Sequence, residues 1–178
     1  MKGLRLPSVE RKRLLVQVAI AGVLCVTRIY GQQPRDPSKL MKYPSPDGSL
    51  VAIVASFHKT GGTVESEVEL QTRSGQHVAQ HSYTSRDSEH GFGVVKAQWT
   101  PNSRYFVFSL VSSGGHQPWH SPVQFFSRKD NSLLSLDDAL NGAVMNPEFA
   151  ITAPEEVTVH LYPDKTATVS LSTLQRAR

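Results

Sequence analysis

Apolar positions in this chain recur with period two over most of its length. "SLVAIVASF", residues 49–57, puts Leu50, Ala52, Val54 and Ser56 on one face of an extended strand. Val51, Ile53, Ala55 and Phe57 fall on the other face. "RYFVFSLV", residues 104–111, is apolar on both faces, the pattern of a strand buried on both sides. "EVELQTR" (67–73) and "EEVTVHLY" (155–162) alternate more cleanly, as half-buried strands do. Polar turn signals separate these runs: "PDGS", "KTGGT", "RSGQ", "TPNS", "RKDNS" and "YPDK". Short strands joined by such turns predict an all-β domain of antiparallel sheets. One short helix is expected near "SLDDAL", Ser135 to Leu140.

The pattern repeats. "SPDGSLVAIVAS" (45–56) and "TPNSRYFVFSLVS" (100–112) align at an offset of 55. At the same offset and without a gap, "VELQTRSGQHV" (68–78) falls on "VQFFSRKDNSL" (123–133). Pro-Asp and Asp-Gly are common turn dipeptides, so one match alone would carry little. An ungapped register over two strand–turn–strand units indicates a repeat. A third copy begins at an offset of 62, where "VKAQWTPNSRYFVFSL" (95–110) falls on "VTVHLYPDKTATVSLS" (157–172). One unit reads as four antiparallel strands: one ending at "AQW", then "RYFVFSLV", "PVQFFSR" and "SLLSL".

Ser45-Pro46-Asp47-Gly48 followed by an apolar strand, with Trp99-Thr100-Pro101 as its partner, resembles the TolB-type β-propeller repeat. That repeat is marked by Trp-Ser-Pro-Asp-Gly before an apolar strand. The first copy here lacks the Trp, the second has Asn102-Ser103 in place of Asp-Gly, and Pro163-Asp164-Lys165 is the poorest. The resemblance covers residues 40–136 and 157–172. It implies four-stranded blades: repeat one at 40–83, repeat two at 94–136 and a C-terminal half-repeat, a hairpin, at 155–174. Its motif is a structural turn, so it implies no catalytic residues. Propellers close with about four to eight blades, more than this chain supplies. The expected architecture is a single all-β domain over 40–178, a partial propeller or a β-sandwich, with open end strands that invite docking or oligomerisation. A ring built from several copies is the other arrangement.

Residues 1–31 read differently. "MKGLRLPSVERKR" is basic, and "LLVQVAIAGVLCV" (14–26) is an apolar run followed by polar residues. This is the pattern of a secretory signal peptide cut after Gly31. The run is short for a bilayer span, which takes about 20 apolar residues; an uncleaved inner-membrane anchor is the lesser reading. Leu24 before Cys25 argues against lipoprotein processing. "QQPRDPSK" (32–39) reads as a flexible lead-in. The expected location is periplasmic or secreted, with no stable membrane span after cleavage.

Removing the leader changes the charge. The chain has 19 Lys+Arg and 15 Asp+Glu; residues 1–31 hold six and one of these, leaving 13 basic and 14 acidic groups. The mature part thus has no basic excess, and no nucleic-acid partner is expected. It also has no cysteine, so it must be held by burial rather than disulfides.

Motifs for nucleophile elbows, zinc proteases, phosphate loops and calcium loops do not occur, and no cofactor is expected. One stretch stands out. "SSGGHQPWHSP" (112–122) carries a Gly pair, His116 and His120 four apart, and Trp119. Two imidazoles are weak candidates for a metal site if other ligands join them, with His58, Glu89 and His90 the nearest in type. Trp119 is suited to stacking on a sugar or a peptide side chain. His116, Trp119, His120 and His58 are therefore the candidate ligand-binding residues. Asp137 and Asp138 read as caps of the short helix. The expected function is a non-catalytic binding or interaction module of the bacterial envelope or secreted fraction, with a protein or glycan partner. The alternative is a small metal-dependent hydrolase using His116 and His120.

Overall fold

The computed structural model describes residues 36–58, 62, 64–115 and 117–176. The leader, most of the lead-in before Lys39, the "KTGGT" turn apart from Gly62, and His116 lie outside the described residues. Every core residue lies between Tyr43 and Leu174, so the unit from Gln32 to Arg178 carries its own hydrophobic interior.

The chain is all-β, and among the described residues it forms three antiparallel sheets. The first holds β1 (Lys39–Pro44), β2 (Leu50–His58), β3 (Val64–Thr72) and β4 (His77–Ser82), in chain order. The second holds β5 (Phe92–Trp99), β6 (Tyr105–Ser112), β7 (Val123–Ser127) and β8 (Ser132–Ser135), again in chain order. A short helix, α1 (Leu136–Leu140), follows. The third sheet holds β9 (Ala150–Ala153), β10 (Glu156–Leu161) and β11 (Lys165–Ser170), and α2 (Leu171–Arg176) ends the chain. No helix among the described residues is long and apolar enough to cross a membrane.

The alternation of side chains explains how the sheets stack. Leu50, Ala52 and Val54 of β2 and Val68 and Leu70 of β3 pack on Phe106, Phe108 and Phe126. The intervening residues of the second sheet, Tyr105, Val107, Val123 and Phe125, pack on Val157, Val159 and Leu161 of the third. The second sheet is thus a middle layer with a core on each face. This is why β6 is buried from Tyr105 to Leu110 and carries no polar alternation.

The first two sheets share a turn at residue level. Ser45 and Leu50 bracket one turn, Thr100 and Tyr105 the other. Ser45 Oγ accepts from Leu50 N at 3.0 Å, and Thr100 Oγ1 accepts from Tyr105 N at 3.1 Å. The same hydroxyls donate to Asp47 Oδ1 at 2.6 Å and to Asn102 Oδ1 at 2.8 Å. Gly48 and Ser103 both take left-handed backbone, at φ 67° and 61°. Asn stands in for Asp because the turn needs only an acceptor oxygen there. Ser stands in for Gly at a conformational cost. Asp47 N donates across to Ser103 Oγ at 2.9 Å, and Arg128 pairs with Asp47 at 2.5 Å.

The C-terminal sheet differs from the expected hairpin. β10 and β11 do pair, but a third strand, β9, joins them. The turn at Pro163 is also shorter: Leu161 pairs with Lys165, four residues on, whereas Trp99 pairs with Phe106, seven on. The ungapped offset of 62 therefore follows β10 and then loses register. The turn that meets the second one is Pro154-Glu155, where Glu155 takes Asn102 Nδ2 at 3.0 Å and pairs with Arg104.

Candidate functional site

The loop from Ser113 to Pro122 joins β6 to β7 and is the longest connection within the second sheet. It holds Trp119, whose side chain is half exposed at 49%. Beneath it lies the His120 ring, stacked at 5.6 Å with planes 27° apart. Tyr162 of the third sheet's turn, 63% exposed, also meets Trp119, at 5.8 Å with planes 54° apart. Sequence distance hid this aromatic pair: 43 residues separate its members, and Tyr162 reads as an ordinary turn residue.

His120 is held from below. Its Nε2 lies 2.7 Å from Asp137 Oδ1, and its Nδ1 lies 3.3 Å from Gln117 Oε1. Asp137 is not a helix cap. Ser135 caps α1, its hydroxyl accepting from Asp138 N at 3.3 Å. Asp137 instead points across the fold, where it also accepts from Val123 N at 3.2 Å and Val144 N at 3.0 Å. One carboxylate thus ties the 113–122 loop, β7, α1 and the entry to the third sheet. Two successive aspartates on a short helix point in different directions, which the sequence alone does not sort.

His58 ends β2, opposite Val64, and among the described residues no hydrogen bond or ring contact joins it to Trp119 or His120. His90 sits in the 84–91 loop, its Nδ1 2.5 Å from Asp87 Oδ2. That loop has its own anchor. Glu65 is 1% exposed. Its carboxylate accepts from Ser85 N at 2.9 Å, Ser85 Oγ at 2.5 Å, Gly91 N at 2.8 Å and Ser113 Oγ at 3.1 Å. Burial works against the charged form, but these donors outweigh it and hold the carboxyl below its ordinary value of 4.5. A Cβ on Gly91 would stand 2.6 Å from that carboxylate and 2.4 Å from Tyr83 O, so only glycine fits.

A groove of about 560 Å³ opens beside His120, between the first and second sheets. His81, Tyr83, Gln124, Ser135, Asp137 and Asp138 line much of it. His81 and Tyr83 meet at 4.6 Å with their planes tilted by 52°, and Tyr83 meets Phe108 edge-on at 5.9 Å. The Tyr83 hydroxyl is buried without a hydrogen-bond partner among the described residues. Burial raises its pKa, so it stays protonated. A second hollow, of about 570 Å³, lies at the turn end, lined by Arg104, Arg128, Lys129 and Asp130. Glu155 and Asp47 already pair with its two arginines.

Chemically, the loop presents an exposed indole beside a polar groove. Both ring nitrogens of His120 face oxygen atoms of neighbouring side chains, Asp137 and Gln117. Among the described residues no three His, Cys, Asp or Glu side chains are grouped to hold a metal. His116 lies outside those residues, so its pairing with His120 is not described. No protein-family model matches the chain, and a search of curated proteins returns no match.

Proposed function

We propose that this protein is an exported, non-catalytic binding module of the bacterial envelope or secreted fraction, and that Trp119 is its anchor for a glycan sugar ring. The observation that carries this reading is Trp119 itself: a half-exposed indole stacked on an imidazole that Asp137 holds. A ring already held by such a contact loses less entropy on binding than a free one. Tyr162 widens the platform, and Gln124, Asp138 and His81 in the groove offer donors and acceptors for hydroxyl groups. The three sheets support the same reading, since a rigid scaffold positions the loops it carries.

The test is calorimetry with soluble peptidoglycan fragments and neutral oligosaccharides. Trp119→Ala is expected to weaken binding about three- to tenfold or more, from the stacking contribution of an aromatic pair. His120→Ala is expected to weaken it less, by loosening the ring. The reading fails if Trp119→Ala binds normally while a His116→Ala/His120→Ala variant, still folded, loses a zinc-dependent hydrolysis. That outcome would establish the hydrolase alternative.

A further inference from the structure

The stack of sheets has two end faces, and they differ in how much apolar surface they present. On the third sheet the outward residues are Thr158, His160, Thr166 and Thr168, which hydrogen-bond to one another. That end is finished by polar side chains. On the first sheet the outward face of β2 is Val51, Ile53, Ala55 and Phe57, because Leu50, Ala52 and Val54 turn to the core. Leu40 beside them on β1 is 58% exposed. None of these outward residues belongs to either core cluster. The β3–β4 half of the same face is polar: Glu67 accepts from Ser82 and Gln80, and Glu69 accepts from Gln71. The β1–β2 half is an apolar strip on which no sheet of the described residues lies.

We propose that this face is the contact between two copies of this chain. The charges say which way they meet. The pairing register puts Lys42, Ile53, Glu69 and Gln80 in one row across the sheet. Lys42 and Glu69 thus flank the apolar β2 on opposite sides. A two-fold axis parallel to β2 and passing over Ile53 sets Ile53 against Ile53. It also sets Lys42 of each copy over Glu69 of the other, twice. An axis across the strands would set Lys42 on Lys42 and Glu69 on Glu69, which like charge opposes. The same axis lays Leu40 over the stem of Glu67, since Leu40, Ala55 and Glu67 form the next row. Four strands at about 4.8 Å and nine residues at about 3.3 Å give a face on the order of 600 Å² per copy. That is the lower end of stable interfaces, so a reversible dimer is expected.

Sedimentation equilibrium of residues 32–178 and of the full chain, from about 1 to 200 μM, tests this. A monomer–dimer equilibrium is expected in both. Ile53→Lys should weaken it at least about a hundredfold, with circular-dichroism melting to show that the variant is folded. Lys42→Glu and Glu69→Lys should each weaken it about tenfold. The double exchange, Lys42→Glu/Glu69→Lys, should restore it, since each copy again meets its opposite charge. A monomer throughout overturns the proposal, as does a dimer that all four variants leave unchanged. A dimer for residues 32–178 but a monomer for the full chain also overturns it, and assigns the face to the N-terminal segment.

Discussion

Ser103 Oγ accepts a hydrogen bond from the backbone N–H of Asp47 at 2.9 Å, so one turn of the repeat is pinned directly to its counterpart 56 residues away. The serine does this from left-handed backbone, at φ 61°, and is 2% exposed. The hydroxyl therefore stabilises while the Cβ costs.

Two substitutions separate these effects. Ser103→Ala keeps the Cβ and loses the bond, and should destabilise by about 1 kcal/mol. Ser103→Gly loses the bond but relieves the backbone, and should come out near neutral. At Gly48, φ 67° with open space around it, Gly48→Ala should cost about 1–2 kcal/mol. Urea unfolding gives all three values. Equal losses for the two Ser103 variants would show that the backbone there is not strained.

Glu65 contributes to acid stability. Its folded carboxyl titrates below the ordinary 4.5, so its contribution is complete above that value and is lost as pH falls through the folded value. Glu65→Gln should be less stable at pH 7 by about 1–3 kcal/mol, since an amide N–H₂ then faces the donors of Ser85, Gly91 and Ser113. Its stability should also fall less steeply below pH 4.5. Some slope remains, because Asp47, Asp87 and Glu155 are held low as well. Chemical denaturation at pH 3 to 7 checks this, and an unchanged slope in the variant would refute it.

The buried hydroxyl of Tyr83 has the opposite sign. Tyr83→Phe removes an unsatisfied polar atom and keeps the ring contacts to His81 and Phe108. Thermal unfolding should show a melting temperature equal to the wild type or higher, by up to about 1 kcal/mol in stability. A loss of more than that would mean the hydroxyl has a partner in solution.

Much of the fold was legible because strands declare themselves by alternation. Leu50 to His58 and Tyr105 to Ser112 stand out from side-chain pattern alone, and the two-sided apolarity of "RYFVFSLV" already marks a middle layer. The turns at Pro46 and Pro101 were readable because their hydrogen bonds are local, within five residues. β9 was not, since Ala150-Ile151-Thr152-Ala153 is short and weakly apolar. The site was half legible. Trp119 and His120 were visible as odd residues in a Gly-rich loop. Asp137, Tyr162 and Glu65 were not, because each acquires its role from a partner brought near only by tertiary packing. A glutamate at the start of a strand reads as solvent-facing until four donors are found around it.

The alternation of β6 couples the two halves of the interior. Phe106 and Phe108 belong to one core, Tyr105 and Val107 to the other, and all four hang on a single backbone. Neither core can melt without displacing the strand that walls its neighbour. The three sheets should therefore unfold in one cooperative transition despite being built as separate meanders. The amides of β6 should be the last in the molecule to exchange with solvent.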